Sequence, residues 1–189
     1  NITGVRLAQS DDKRLECLLD VAPEARRVLV PYNPDDPSAR ATLAVIMNAR
    51  EQVGVEIVAQ PFRDTDRVDA PGFLPPGVQA VFLPRDGLVL SRIDDFIALS
   101  IARRLPLSTP RKDQVQRGAL TGYGLVGHEI GRQAARMAHL LLSGAPVSSI
   151  PVETARDYLF INLDTARRMG LSIPETVLRR AQYVAQDQP

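Results

Sequence analysis

Four short apolar runs, at residues 27–32, 55–59, 80–83 and 105–108, each give way to residues that break a strand. This rhythm constrains the fold more than any other feature of the chain. Arg27-Val28-Leu29-Val30-Pro31-Tyr32 runs into Asn33-Pro34-Asp35-Asp36-Pro37, which is dense with turn formers. Asp36 ahead of Pro37 reads as an N-cap followed by proline in the first helical turn. Leu43, Ile46, Met47 and Val53 then mark one apolar face, and Gly54 stops the helix. Ala80-Val81-Phe82-Leu83 is apolar throughout, as a strand buried on both faces must be. Beyond it, Ser91-Arg92-Ile93-Asp94 has a capping-box pattern, and Ile93, Phe96, Ile97 and Ile101 predict a helix reaching Arg104. Upstream, Leu15, Leu18 and Leu19 recur at helical spacing over residues 12–21, and Pro23 ends that run. Prolines and glycines at 61, 71, 72, 75, 76 and 77 exclude helix from the second half of 60–77.

Strands alternating with helices predict an α/β fold: a Rossmann-like three-layer parallel sheet, covered on both faces, with right-handed crossovers. Such sheets bind ligands outside the carboxyl ends of their strands. The loops there are residues 33–38, the Pro61 region, 84–87 and 108–110, and a site built from three of them is expected.

From Ala119 the pattern changes. Residues 119–123 predict a short strand or extended crossing. Ile130, Ala134, Met137, Ala138 and Leu141 form a stripe at i, i+4, i+7, i+8, i+11 that predicts an amphipathic helix closed by Gly144. Tyr158-Leu159-Phe160-Ile161-Asn162 predicts a strand, residues 164–169 a short helix ended by Gly170, and Ser172-x-x-Glu175 the cap of a last helix. Residues 185–189 read as a loose tail.

Composition narrows function by exclusion. With 23 basic and 22 acidic side chains, the net charge of +1 gives no field to recruit nucleic acid or an anionic membrane. One cysteine, Cys17, cannot close an internal disulfide, and its spacing with Leu15, Leu18 and Leu19 fits a packed helix position. Cys17, His128 and His139 have no metal-ligand spacing. No glycine-rich dinucleotide fingerprint, phosphate loop or Gly-x-Ser-x-Gly is present, and nothing pairs a nucleophile with a base. No cofactor is expected.

Among the residues that could meet a ligand, 32–38 feed a helix N-terminus. Its free N–H groups could receive an anion, or Asp36 and Ser38 could simply cap it. Pro84-Arg85-Asp86-Gly87 ends a buried strand. Asp86 either faces a ligand ammonium or forms an Asp-Gly turn, and Arg85 reads as solvated. Thr109 follows the fourth strand as a turn hydroxyl or a weaker contact. Tyr123 lies between Gly122 and Gly124, which permit close backbone approach, and it offers an aromatic wall with a hydroxyl.

Tyr32-Asn33-Pro34, the 127–144 helix, Pro151-Val152-Glu153 and Phe160-Ile161-Asn162-Leu163 together resemble one family. It is the ABC-transporter solute-binding proteins whose known members take up aromatic amino acids, type I periplasmic binding proteins in architecture. The resemblance runs from about residue 13 to residue 183. It implies a ligand-binding lobe over residues 1–115, then a crossing segment over 116–189 with a remnant of the other lobe and C-terminal helices. It implies a non-catalytic component that binds a small molecule, an amino acid among the candidates, and hands it to a membrane permease. Periplasmic or extracytoplasmic location follows, with a lipid anchor among the full-length forms. Asn33, Ser38, Asp86, Thr109 and Tyr123 are expected to line one side of a cleft; of these the Asn33 turn, Asp86 and Tyr123 resemble ligand-facing positions of the family, with Asp86 over the ligand's amino group. Ser38 and Ala39 stand where family members usually have asparagine and serine, and Thr121 stands where serine is common. Most of the first lobe is not in the sequence, so a fragment or truncated relative is expected, with the apolar stripe of 130–141 packing against the existing domain or against a second copy in a homodimer. A ligand-sensing domain of a regulator and, further off, a Rossmann-like enzyme are the alternatives on the same fold.

Overall fold

Val28, Leu29 and Val30 are consecutive and fully buried, which a strand achieves only with partners on both edges and a cover on both faces. The computed structural model describes residues 2–185. β1 (Val5–Arg6) precedes α1 (Asp11–Val21), β2 (Arg27–Tyr32), α2 (Pro37–Val53) and β3 (Glu56–Pro61). After a long turn-rich stretch come β4 (Ala80–Phe82), α3 (Gly87–Ser91), α4 (Ile93–Arg103), β5 (Leu107–Thr109) and α5 (Lys112–Gln116). The rest is β6 (Thr121–Leu125), α6 (Gly127–Leu142), β7 (Glu153–Thr154), β8 (Asp157–Asn162), α7 (Leu163–Met169), α8 (Glu175–Leu178) and β9 (Tyr183–Ala185). Seven strands share one sheet in the order β3-β2-β4-β5-β6-β8-β9, parallel except where β8 meets β6 antiparallel. β1 and β7 form a separate parallel pair, with Val5 opposite Glu153.

α1 lies against one face and serves two apolar clusters from two rows of one helix. Leu15 and Leu18 pack with Val28, Val30, Phe82 and Ile46 of α2. Cys17 and Val21 pack with Leu120, Leu159, Ile161 and Met169 of α7. On the other face, Leu29, Val81, Leu107 and Phe160 meet Ile93, Phe96 and Ile97 of α4 and Val115 of α5. Where a crossover helix would complete that cover, the turn-rich residues 62–78 do so with Phe62, Val68 and Val78. Phe62 stands edge-on to Phe73 at 6.1 Å and 5.5 Å from Phe96, a geometry that aromatic quadrupoles favour.

Several local expectations change. The Ser91 cap does not form: α3 begins a turn earlier, on Asp86, and the Ser91 hydroxyl donates back to the Leu88 carbonyl at 2.7 Å. Arg92, with no side-chain cap bond, precedes α4. α5 was not anticipated. Ser172 caps nothing, since α8 is a four-residue turn preceded by Pro174. Ala185, expected in a loose tail, belongs to β9, and residues 186–189 of that tail lie outside the described residues.

The boundary expected after residue 115 does not interrupt the sheet, because β6, β8 and β9 are hydrogen-bonded into it. What stands apart is β1, β7 and α6. Gln133 donates to Glu153 and to the Thr154 carbonyl, and Arg136 pairs with Glu153, holding α6 to β7. Of the α6 stripe only Met137 is buried, 2% exposed; Ala134 and Ala138 are exposed, Ile130 and Leu141 half-buried. None of the described helices is long and apolar enough to cross a membrane.

Phe96 is fully buried and in contact with both other rings of the aromatic trio. Phe96→Ala should therefore cost about 3–5 kcal/mol, read as a lower urea midpoint with an unchanged slope.

Candidate functional site

β3, β2, β4, β5 and β6 are parallel neighbours, so their carboxyl ends share one edge of the sheet. The three chain crossings to β1, α6 and β7, at residues 7–10, 125–126 and 155–156, leave from that same edge. The first crossing ends at Ser10, ahead of α1. The second follows β6. The third precedes β8, whose Asp157 is in register with Leu125.

The loop after β2 is held from within. Asn33 Oδ1 accepts the Asp35 N–H at 3.0 Å, Asp36 accepts the Ser38 N–H at 2.8 Å as the cap of α2, and Arg40 donates to the Pro34 carbonyl at 2.6 Å. Asn33 is half-buried and Ser38 exposed, so both are accessible from the carboxyl edge. Asp86 is fully buried. One of its oxygens accepts the Leu88 and Val89 N–H groups at 3.0 and 3.2 Å as the cap of α3, and the other accepts the Asn33 N–H at 2.6 Å. Three backbone donors thus surround this carboxylate, which binds the β2 loop to the β4 loop. Thr109 is also fully buried, and its hydroxyl donates to Gln114 of α5.

Tyr123 is placed elsewhere. Its ring is partly buried against the Cys17, Leu159 and Ile161 cluster on the α1 face. It shares a groove there with Ser10, Asp12, Lys13 and Asp157. The strand order separates β6 from β2 by three spacings, about 14 Å. The structure therefore brings Asn33 and Asp86 into contact and sets Tyr123 at the crossings. Burial raises the Tyr123 phenol, and the nearby Asp157 adds to this. Burial also raises the Asp157 carboxyl, offset in part by the Ser10 N–H, Arg85 and Lys13, and its buried Oδ1 has no hydrogen-bond partner among the described residues. At Gly124 a Cβ would run into the Pro110 carbonyl and the Gln9 amide, so only glycine lets the second crossing pass this close to the β5 loop.

Arg85, read from sequence as solvated, is instead tethered. It donates to Asp11 at 2.8 Å and to Gln9 at 3.1 Å, and remains 36% exposed. Asp11 also accepts from Arg14 at 3.0 Å. Arg14 is sealed under the sheet, donates to the Leu83 carbonyl at 2.7 Å and lies 3.9 Å over the Phe82 ring. A signal for this cluster was present: Asp11, Arg14, Leu18 and Val21 follow i, i+3, i+7, i+10, so both charges fall on the buried row of α1.

A family model described as "ABC transporter substrate binding protein" matches residues 1–185. The chain belongs to that family. A curated relative, a tyrosine-binding protein of Clostridioides difficile, is 24% identical over 173 residues, covering 90% of this chain and 50% of that protein. The ligand-free, open structure of a substrate-binding protein with adhesive properties from Clostridium difficile superposes with a TM-score of 0.82. It is 23% identical, over 98% of this chain and 63% of that one. An ABC domain from Streptococcus pneumonia in complex with L-Trp gives a TM-score of 0.75 at 20% identity, over 97% of this chain and 65% of that one. These likenesses show the periplasmic-binding-protein fold. The chain spans about half the length of the tyrosine-binding relative.

Removing the Asp86 carboxylate leaves three backbone donors short of an acceptor. Asp86→Ala should cost about 3 kcal/mol, with Asp86→Asn intermediate, by chemical denaturation. Asp157 gives a pH signature. A carboxyl raised in the folded state favours folding below its unfolded pKa and loses that contribution as pH rises through the folded one. Asp157→Asn should accordingly be more stable than wild type at neutral pH, with the difference closing below about pH 3.9, as followed by melting across pH.

Proposed function

We propose that the chain supplies the ligand-facing lobe of an extracytoplasmic solute-binding protein, which captures an amino acid and presents it to an ABC permease without transforming it. The observation that carries this reading is the coincidence of two edges. The carboxyl ends of five parallel strands, where α/β sheets bind ligands, are also where all three crossings leave toward β1, α6 and β7. Anything seated there contacts both sides of a hinge, and closure around it is the expected response. The accessible Asn33 and Ser38 loop lines the edge, while Asp86 fixes its distance from the β4 loop. Tyr123 supplies an aromatic wall beside the crossings. Family membership and the tyrosine-binding relative support an aromatic amino acid as the ligand class.

The test is a thermal-shift panel of the twenty amino acids on the full-length protein, with calorimetry on those that respond. L-Tyrosine or L-tryptophan at a hundred times its dissociation constant should stabilise the protein by about 2.7 kcal/mol and be recovered unchanged. A flat response to every amino acid would remove the ligand class. Consumption of the ligand would remove the non-catalytic reading.

A further inference from the structure

We propose that Arg85 is the group that receives the ligand's negative charge. This rests on the amino-acid reading above and names the side chain that selects the carboxylate. β4 is the middle strand of the five parallel ones, so the residues that follow it stand at the centre of the carboxyl edge. Arg85 is one of them. Its guanidinium is fixed through both terminal nitrogens, to Asp11 and to Gln9 of the first crossing, and the side chain remains 36% exposed. A guanidinium held through both terminal nitrogens, each of which keeps a second N–H, is suited to bidentate capture of a carboxylate, with little side-chain entropy left to lose.

Two of the neighbouring acids, Asp11 and Asp86, have both oxygens engaged. Asp11 divides its two oxygens between Arg14 and Arg85. Asp86, next in sequence, spends both of its oxygens on backbone N–H groups. Asp157, which feels both this charge and that of Lys13, accepts the Ser10 N–H, while its Oδ1 is buried with no hydrogen-bond partner among the described residues. The β2 loop offers only acids, Asp35 and Asp36, before Arg40, which is turned back onto Pro34. On the β5 loop, Arg111 is paired with Asp113 at 2.9 Å. Arg14 and Asp11 act as positioning residues. Arg14 is buried, bound to the Leu83 carbonyl and to Asp11, and so holds the carboxylate that aims Arg85.

Binding of L-tyrosine and L-tyrosinamide to the full-length protein separates the carboxylate contact from everything else. Wild type should prefer the acid by about 100-fold, the value of one charge-assisted bidentate contact. Arg85→Met should abolish that preference by weakening the acid alone, with the amide changed less than about threefold. Arg85→Lys, which keeps the charge without the fork, should fall between. Melting of each variant confirms that it is folded. Equal loss of both ligands in Arg85→Met, or an undiminished preference for the acid, overturns the assignment. If wild type binds no amino acid, the ligand-class reading fails by itself. 3-Phenylpropionate against its amide then decides Arg85: an acid preference lost in Arg85→Met upholds it, and no binding of the acid overturns it.

Discussion

A guanidinium sealed beneath the sheet governs the working edge of this domain. Burying Arg14 is tolerable only because Asp11, the Leu83 carbonyl and the Phe82 ring receive it. Desolvation nevertheless pushes its pKa down to about 10, against the opposing pull of Asp11. The contact fixes the N-terminus of α1 over the end of β4. α1 in turn covers two clusters on one face, so the apolar core and the polar edge are aligned by one helix. Replacing the Arg14–Asp11 pair with apolar residues of the same volume could preserve the core, yet it would release Arg85 and the first crossing.

A second buried acid does the same for the loops. Asp86 joins the β2 loop to the cap of α3, so two segments at the carboxyl edge of the sheet are tied together. Its carboxylate is bound into the backbone frame by three N–H groups. Arg85 is one residue away and Asn33 is its own partner.

Much of this was legible in sequence because local patterns and tertiary packing agree. The apolar runs at 27–32 and 80–83 became central strands, and Asp36, Pro37 and Gly54 bound α2 as their chemistry requires. Reading failed where one residue had two uses. Asp86 as a cap and Ser91 as a cap are equally good local patterns, and only the N–H of Asn33, 53 positions away in sequence, favours the first. Arg85 looked solvated because its partners, Gln9 and Asp11, are more than 70 residues upstream. Tyr123 was read from its glycine neighbours. Strand alternation then turned its ring to the α1 face, which no spacing within Gly-Tyr-Gly reveals.

The antiparallel pairing of β6 with β8 carries a topological consequence. Leu125 and Asp157 are opposite one another at the end of the ladder, and residues 126–156 leave and return between them. In chain topology β6 and β8 are therefore the two arms of a hairpin whose turn has been replaced by a segment carrying α6 and β7. The seven-stranded sheet does not need residues 126–156 to close its own hydrogen bonds, and because β7 pairs with β1, residues 7–10 add a third link between the two. A segment inserted at a turn adds no pairing to the sheet that bears it, so bending at these three links would leave every hydrogen bond of the seven-stranded core in place.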